Sequence, residues 1–317
     1  MYRSKKSLIS LLGYFAVIIV LMLFIARGFF SFSNFDTIFR STATTLIAAM
    51  GMMMVLLIGE IDVSVGAILA MCCVLSGTLA LQGVPLILCI LASMALGAGM
   101  GLINGLVVVF LRLDSIVATL GLLSIYKGIK VILTGGAWLT GFPKGFLTLG
   151  QGRLLGINNS IYVAVLVLLV MIFVTRKTEF GRNFYAVGSN RDAARLAGIN
   201  TNKVRLLAFV ICGMLVGLAA VIYTSRFGSV QSNTGNGWEM TVISAAVVGG
   251  TSTLGGEGDA VSVALGALLI SSLTTLLVFI GINSLWEEAV QGIIILLSVC
   301  TYSIHLPRLL KTGKGGA

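Results

Sequence analysis

The chain alternates long apolar runs with short polar interruptions. A basic start (Arg3, Lys5 and Lys6 within 1–7) leads into an apolar run at 8–26. Further runs lie at about 39–59, 63–82, 86–111, 114–134, 158–175, 204–224, 240–256, 260–281 and 286–304. About 20 apolar residues cross a hydrocarbon core of roughly 30 Å. The pattern therefore predicts about ten transmembrane helices. The first is expected to be retained, because no small-x-small cleavage site precedes Arg27. The run at 240–256 is the weakest and also suits a re-entrant segment.

Ten spans put both termini and the longest polar interruption on one side. The segments assigned to that side (1–7, 60–62, 112–114, 176–205, 257–259 and 305–317) hold 14 of the 21 Lys and Arg residues, and the rest of the chain holds seven. That asymmetry has the sign of the positive-inside rule, so the central interruption is expected in the cytoplasm.

This interruption is Thr178–Val204, TEFGRNFYAVGSNRDAARLAGINTNKV. It carries a short helix signature: Ser189 as N-cap, Asp192 three residues on as in a capping box, and Gly198 to close the helix in the left-handed conformation. A helix of two turns is marginal in water. Fixed between two spans, it gains most of its stability by docking, and it reads as a contact for a soluble partner.

Composition agrees with the pattern. At 57% hydrophobic and 10% charged residues, with mean hydropathy +1.06, the 317 residues carry too much apolar surface for one soluble core. The fold class expected is all-α, a single polytopic membrane domain spanning 1–317 with glycine-broken segments. The net charge of +10 does not point to nucleic acid, because the basic residues cluster beside apolar runs. The five cysteines (Cys72, Cys73, Cys89, Cys212, Cys300) sit in apolar stretches without metal spacing and read as small packed hydrophobes.

Several stretches break the apolar pattern. Gly59–Gly66, GEIDVSVG, places Glu60 and Asp62 between glycines; the segment is either an ordinary cytoplasmic turn or a pair of acids facing the bundle interior. Gly97, Gly101 and Gly105 share a helical face with Asn104 beside them, a stripe that lets helices approach closely, and Gly213 and Gly217 offer another. Leu113–Gly136 is apolar yet carries Thr119, Ser124, Tyr126, Lys127 and Lys130, the lysines being expected to snorkel toward an interface. Trp138, Phe142 and Phe146 read as interfacial anchors, and the polar Tyr223–Glu239 is expected on the outer side.

The glycines of Val247–Asp259 invite comparison with a phosphate loop, but GxxxxGK[ST] occurs nowhere in the chain. A glycine-broken membrane helix is the better reading, and its acidic turn echoes Gly59–Gly66 as in transporters built from repeats. The catalytic inventory is thin, with the single histidine, His305, at the end of the last run and no nucleophile elbow or zinc set.

Asp192–Gly198, DAARLAG, resembles the EAA-x-x-x-G motif of ATP-binding-cassette importer permeases, with Asp for the usual Glu. Together with Gly59–Gly66, Val117–Gly121 (VATLG), Thr178–Asn190 and Gly249–Gly258 (GGTSTLGGEG), in that order, the chain is similar to the ribose-type permeases of bacterial sugar importers. Ile116–Trp138 and Asn233–Met240 look most like the autoinducer-2 branch, with the rhamnose and ribose branches close.

That resemblance implies a permease subunit without an ATPase site or cofactor of its own. It sits in the bacterial cytoplasmic (inner) membrane beside a second permease copy or a similar subunit. A cytoplasmic ATP-binding-cassette ATPase hydrolyses the ATP, and an extracytoplasmic substrate-binding protein delivers a monosaccharide or sugar-like ligand. The loop at about 176–203 becomes the coupling loop, with Arg191, Asp192, Ala193, Ala194 and Gly198 in its helix. Ala193 and Ala194 would allow close approach, while Arg191 and Arg195 would either pair with ATPase acids or stay solvated.

Polarity within apolar runs nominates Asn104, Thr119, Ser124, Tyr126 and Asn283 for the substrate path. Two rival classes stay open: an ion-coupled secondary transporter using Glu60, Asp62, Glu257 and Asp259, and a membrane scaffold that only recruits a partner.

Overall fold

The computed structural model describes residues 31–281, 286, 288–294 and 296. The expected first span at 8–26, Cys300, His305 and Asn283 lie outside the described residues.

Helix α1 (Phe32–Leu57) starts at Ser31, whose hydroxyl accepts from the Asn34 N–H, and is buried on every side from Thr42 to Leu57. A helix apolar all round belongs at the centre, and here the helices at 159–177, 201–227, 238–248 and 260–279 pack about it. Helix α2 (Val65–Leu81) comes after the Gly59–Gly66 break, and α3 (Leu86–Phe110) after Pro85. Helix α4 (Ser115–Thr134) is capped by the Asp114 carboxylate, which accepts from the N–H groups of Ile116 and Val117, and ends at left-handed Gly135.

Beyond α4 come strand β1 (Leu139–Thr140), the short helix α5 (Lys144–Gln151), and a hairpin of β2 (Arg153–Leu154) and β3 (Ile157–Asn158). Helix α6 (Asn159–Lys177) leads into the central loop, which holds α7 (Glu179–Ser189) and α8 (Arg191–Leu196). The chain continues through α9 (Thr201–Phe227), β4 (Ser229–Val230), α10 (Trp238–Val248) and α11 (Ala260–Phe279).

Six of these helices are long and apolar enough to cross a membrane: α1, α3, α4, α6, α9 and α11. The chain is an all-α multi-pass membrane protein. Helix α10 has 11 residues, about 16 Å at 1.5 Å per residue, and falls well short of a hydrocarbon core. The weak run at 240–256 thus yields this short apolar helix rather than one long enough to span.

The bundle has two distinct ends. At one, Arg176 of α6 meets Asp259 at 2.6 Å, the Gly256 N–H donates to the Leu57 carbonyl at 2.9 Å, and α8 lies across the surface. At the other, β1 pairs antiparallel with β4, and Asp36 holds Arg40 and Arg153, each at 2.7 Å.

The two glycine stripes of the sequence are one seam. Helices α3 and α9 run antiparallel, and a Cβ on Gly97 would overlap the Gly213 carbonyl oxygen, one on Gly101 that of Phe209, and one on Gly217 that of Ser93. The Ser93 hydroxyl donates to the Gly217 carbonyl at 3.0 Å across the same contact. Backbones this close gain dispersion contacts that larger side chains would prevent.

Two expectations need correcting. Phe142 and Phe146 are not interfacial anchors: they are 7% and 3% exposed, 5.5 Å apart between rings, because the Phe142 ring rests on Gly77 of α2 and α5 packs on α9, whereas Trp138 is exposed. Lys130 does not snorkel. It is 4% exposed, and its ammonium donates to the Ser232 carbonyl at 2.7 Å and the Thr234 carbonyl at 3.4 Å.

Candidate functional site

The central loop is built from two helices rather than one. Thr178 caps α7 by accepting from the Gly181 N–H at 3.0 Å, and Gly181, Phe184 and Val187 form its buried face. Gly188 lies so close to the Leu57 carbonyl and the Gly256 N–H that a Cβ would overlap both. The Tyr185 hydroxyl donates to the Gly258 carbonyl at 2.9 Å. Burial, and after it the Asp259 carboxylate, pushes the Tyr185 phenol up from its ordinary range, so it remains a donor.

The N-cap of α8 is Asn190, not Ser189. The Asn190 side chain accepts from the Ala193 N–H at 2.9 Å, while Ser189 completes α7, whose last turn is satisfied by the Asn190 N–H on the Ala186 carbonyl. Asparagine and serine cap about equally well, so the packing of α7 decides the register. The other end is as expected: Gly198 has φ +85°, its N–H bonds the Arg195 carbonyl, and the Ile199 N–H bonds the Ala194 carbonyl, each at 3.0 Å. These are the two bonds of a Schellman closure.

Within α8, Ala194 is buried against the chain, whereas Arg191, Asp192, Ala193, Arg195 and Leu196 are exposed, as is Gly198 beyond it. Leu196 is 90% exposed. Ala194 thus seats the helix on its own protein, and Ala193 and Leu196 present the outward face. Arg191 reaches inward, donating to the Ile58 carbonyl at 3.1 Å and to Glu60 Oε1 at 3.0 Å. Arg205, near the start of α9, donates through Nε to the same oxygen at 2.6 Å, and its Nη2 lies against it too.

Glu60 opens the break that leads to α2. The intervening backbone N–H groups go to α4, that of Ile61 to Ser115 Oγ at 3.1 Å and that of Val63 to Thr119 Oγ1 at 3.0 Å. Ser115 and Thr119 are four apart on one helical face and act here as a substitute strand edge.

Asp62 is fully buried. Its carboxylate accepts from Ser64 N–H at 2.9 Å, Ser64 Oγ at 2.7 Å and Asn104 Nδ2 at 2.9 Å, and the Tyr126 hydroxyl donates to Asn104 Oδ1 at 3.0 Å. Asn104 also donates to Ser64 Oγ at 2.7 Å. So Asn104, Thr119 and Tyr126 meet in one network about the break, each engaged by protein groups. Ser124 stands apart on the exposed face of α4, donating to the Leu120 carbonyl.

Sequence reasoning missed Lys130, although its spacing placed it on the stripe of Ser115, Thr119 and Tyr126. That stripe is the buried face of α4, and Lys130 uses it to hold the descending segment 231–237. The tip of that segment, Gly235, rests against Gly66 at the start of α2. Nearby, Glu239 is buried and its Oε2 has no partner among the described residues. No group of three or more His, Cys, Asp and Glu residues capable of holding a metal occurs among the described residues.

The family described as branched-chain amino acid transport system / permease component matches residues 34–299, most of the chain. The chain belongs to this permease family. An autoinducer 2 import system permease protein LsrC from Yersinia enterocolitica is 37% identical over 294 residues, covering 93% of this chain and 81% of the relative. Its counterparts from Yersinia pseudotuberculosis and Yersinia pestis are 36% identical, covering 93% of this chain and 83% of each relative. No solved structure matches the chain with comparable significance. This permease is thus a sugar-type transport subunit of an ATP-binding-cassette importer, not an enzyme, and the family implies an ATPase and a substrate-binding protein as its partners.

Proposed function

We propose that this permease forms the translocation pathway for a monosaccharide or sugar-like ligand of the autoinducer-2, ribose or rhamnose type in the bacterial inner membrane. The names of the relatives favour autoinducer-2. The whole chain acts as one membrane domain beside a second permease subunit. Both termini and the α7–α8 loop face the cytoplasm, and the β1–β4 end faces the binding protein. A separate ATPase hydrolyses the ATP, so this chain needs no cofactor.

One observation carries the docking assignment. Helix α8 is capped at both ends and seated by Ala194, yet turns Ala193 and the 90% exposed Leu196 away from the protein. An aliphatic side chain so exposed at a charged, non-lipid surface gains by being covered. Asp192, Ala193, Arg195 and Leu196 make the contact, with Arg191 and Gly198 holding the helix in shape. The test is co-purification of the ATPase encoded beside this permease. Wild type retains it, while Leu196→Asp and Gly198→Pro lose it and remain folded; equal retention by all three removes α8 from the interface.

The ligand path runs past the descending segment. Asn104, Thr119 and Tyr126 have their hydrogen-bonding capacity engaged about Asp62 and shape the break. Half-exposed Lys127, one turn deeper than Lys130, and exposed Ser124 and Asn236 supply polarity along the path, with the buried Glu239 behind them. Polar side chains at membrane depth belong on a watered route rather than against lipid. Asn283, outside the described residues, remains a candidate from its polarity.

A further inference from the structure

Two arginines flank α8 in sequence, Arg191 at its first residue and Arg205 just beyond it on α9, and both end on one oxygen of Glu60. Glu60 is 4% exposed, and its other oxygen, Oε2, has no partner among the described residues. A buried carboxylate normally distributes its donors over both oxygens, since an unsatisfied buried acceptor is costly. Here one oxygen takes two guanidinium groups and the other none. A small rotation of this carboxyl, or a slide of α8, hands one guanidinium to Oε2 and gives a second arrangement of the same three side chains.

The course of the backbone beyond Glu60 makes that arrangement consequential. Arg191 also donates to the Ile58 carbonyl, so α8 grips the break at two points. From there the backbone runs through Ile61 and Val63, bonded to α4, and Asp62, bonded to α3 through Asn104, into α2. At the first turn of α2, Gly66 touches Gly235 of the descending segment. A stiff segment anchored at each step passes a displacement on, because packed elements shift between discrete arrangements instead of stretching.

We propose that Glu60 is the pivot that transmits movement of α8 to the 58–64 break, and through α2 to the membrane interior. It is a positioning residue for transport, acting through Arg191 and Arg205 rather than by touching the ligand. The proposal rests on α8 being the ATPase-docking helix.

The test uses the full permease with its ATPase in lipid nanodiscs, the five cysteines replaced and spin labels placed at Leu81, at the far end of α2, and at Leu155. The label-to-label distance is read without nucleotide and with a trapped ATP analogue, beside ATP hydrolysis and ATPase retention. In wild type the analogue shifts the distance. In Glu60→Gln the ATPase is retained and ATP is still hydrolysed, but the shift is lost.

Arg205→Gln, on α9 outside the docking helix and with its side chain 15% exposed, is expected to behave likewise and serves should the Glu60 substitution not fold. A shift unchanged from wild type in the folded variants overturns the proposal. So does loss of the ATPase from them, since Glu60 and Arg205 would then merely seat α8, and so does a wild-type distance that nucleotide leaves unmoved with the ATPase bound. A wild type that holds no ATPase overturns the docking assignment and this inference with it.

Discussion

Gly66 and Gly235 meet backbone to backbone: a Cβ added to either would overlap the carbonyl oxygen of the other. One lies at the start of α2, after the break that rises from Glu60, and the other at the tip of the segment that descends from β4. Two interruptions entering from opposite ends thus touch inside the bundle. Irregular backbone at membrane depth is tolerated where protein covers it or a route for solute passes.

Substitution at this contact is expected to be severe. Gly66→Val requires the descending segment to withdraw, and Gly235→Val adds a branched side chain at φ +83°. Overpacking costs about 1–3 kcal/mol, and a left-handed non-glycine residue adds on the order of 1–3 kcal/mol. Thermal unfolding in detergent, followed by size-exclusion chromatography, is expected to show both variants well below wild type, Gly235→Val the lower.

The α3–α9 seam has an internal control. Gly97→Val forces the backbones apart at Gly213, whereas a Cβ on Gly99, two residues on, would meet nothing within 4 Å. Gly97→Val is expected to lower the melting temperature and Gly99→Val to leave it near wild type. Equal effects would contradict the seam.

Lys130→Met replaces a buried ammonium with a side chain of similar length and leaves the Ser232 and Thr234 carbonyls without their donor. Hydrogen bonds to charged groups contribute about 1.5–3 kcal/mol. Hydrogen exchange is expected to rise within 231–237 while the α3–α9 seam stays protected. Unchanged exchange in 231–237 would mean that Lys130 does not hold that segment.

Tyr126→Phe separates the two roles open to the Asp62 network. As a strut, the tyrosine hydroxyl contributes about 1 kcal/mol to stability, so the variant melts slightly lower and transports with an unchanged ligand concentration at half-maximal rate. A raised half-maximal concentration with wild-type stability would put Tyr126 on the ligand path.

Much of this was legible in the sequence, for identifiable reasons. Apolar runs locate α1 to α4, α6, α9 and α11 because lipid imposes length and hydropathy directly. Gly198 was legible as a helix stop because few other residues adopt its φ. The glycine stripes were legible as close-packing sites, but not as partners, since periodicity carries no information about what lies opposite. Glu60 was marked as unusual by its glycine borders, whereas its convergence with Arg191 and Arg205 depends on how α8 crosses the bundle end. Helix α7 was hidden by its polar exposed face, and Lys130 by the assumption that a lysine in an apolar run seeks the surface.

The family implies that this permease moves its ligand with energy from a separate ATPase. The most direct measurement is uptake of labelled autoinducer-2, and of labelled ribose in parallel, into proteoliposomes holding the permease, its ATPase and its binding protein. The account predicts uptake of one probe that requires ATP on the α8 side and survives an uncoupler. Uptake by the permease alone, collapsed by the uncoupler and indifferent to the ATPase, would contradict it.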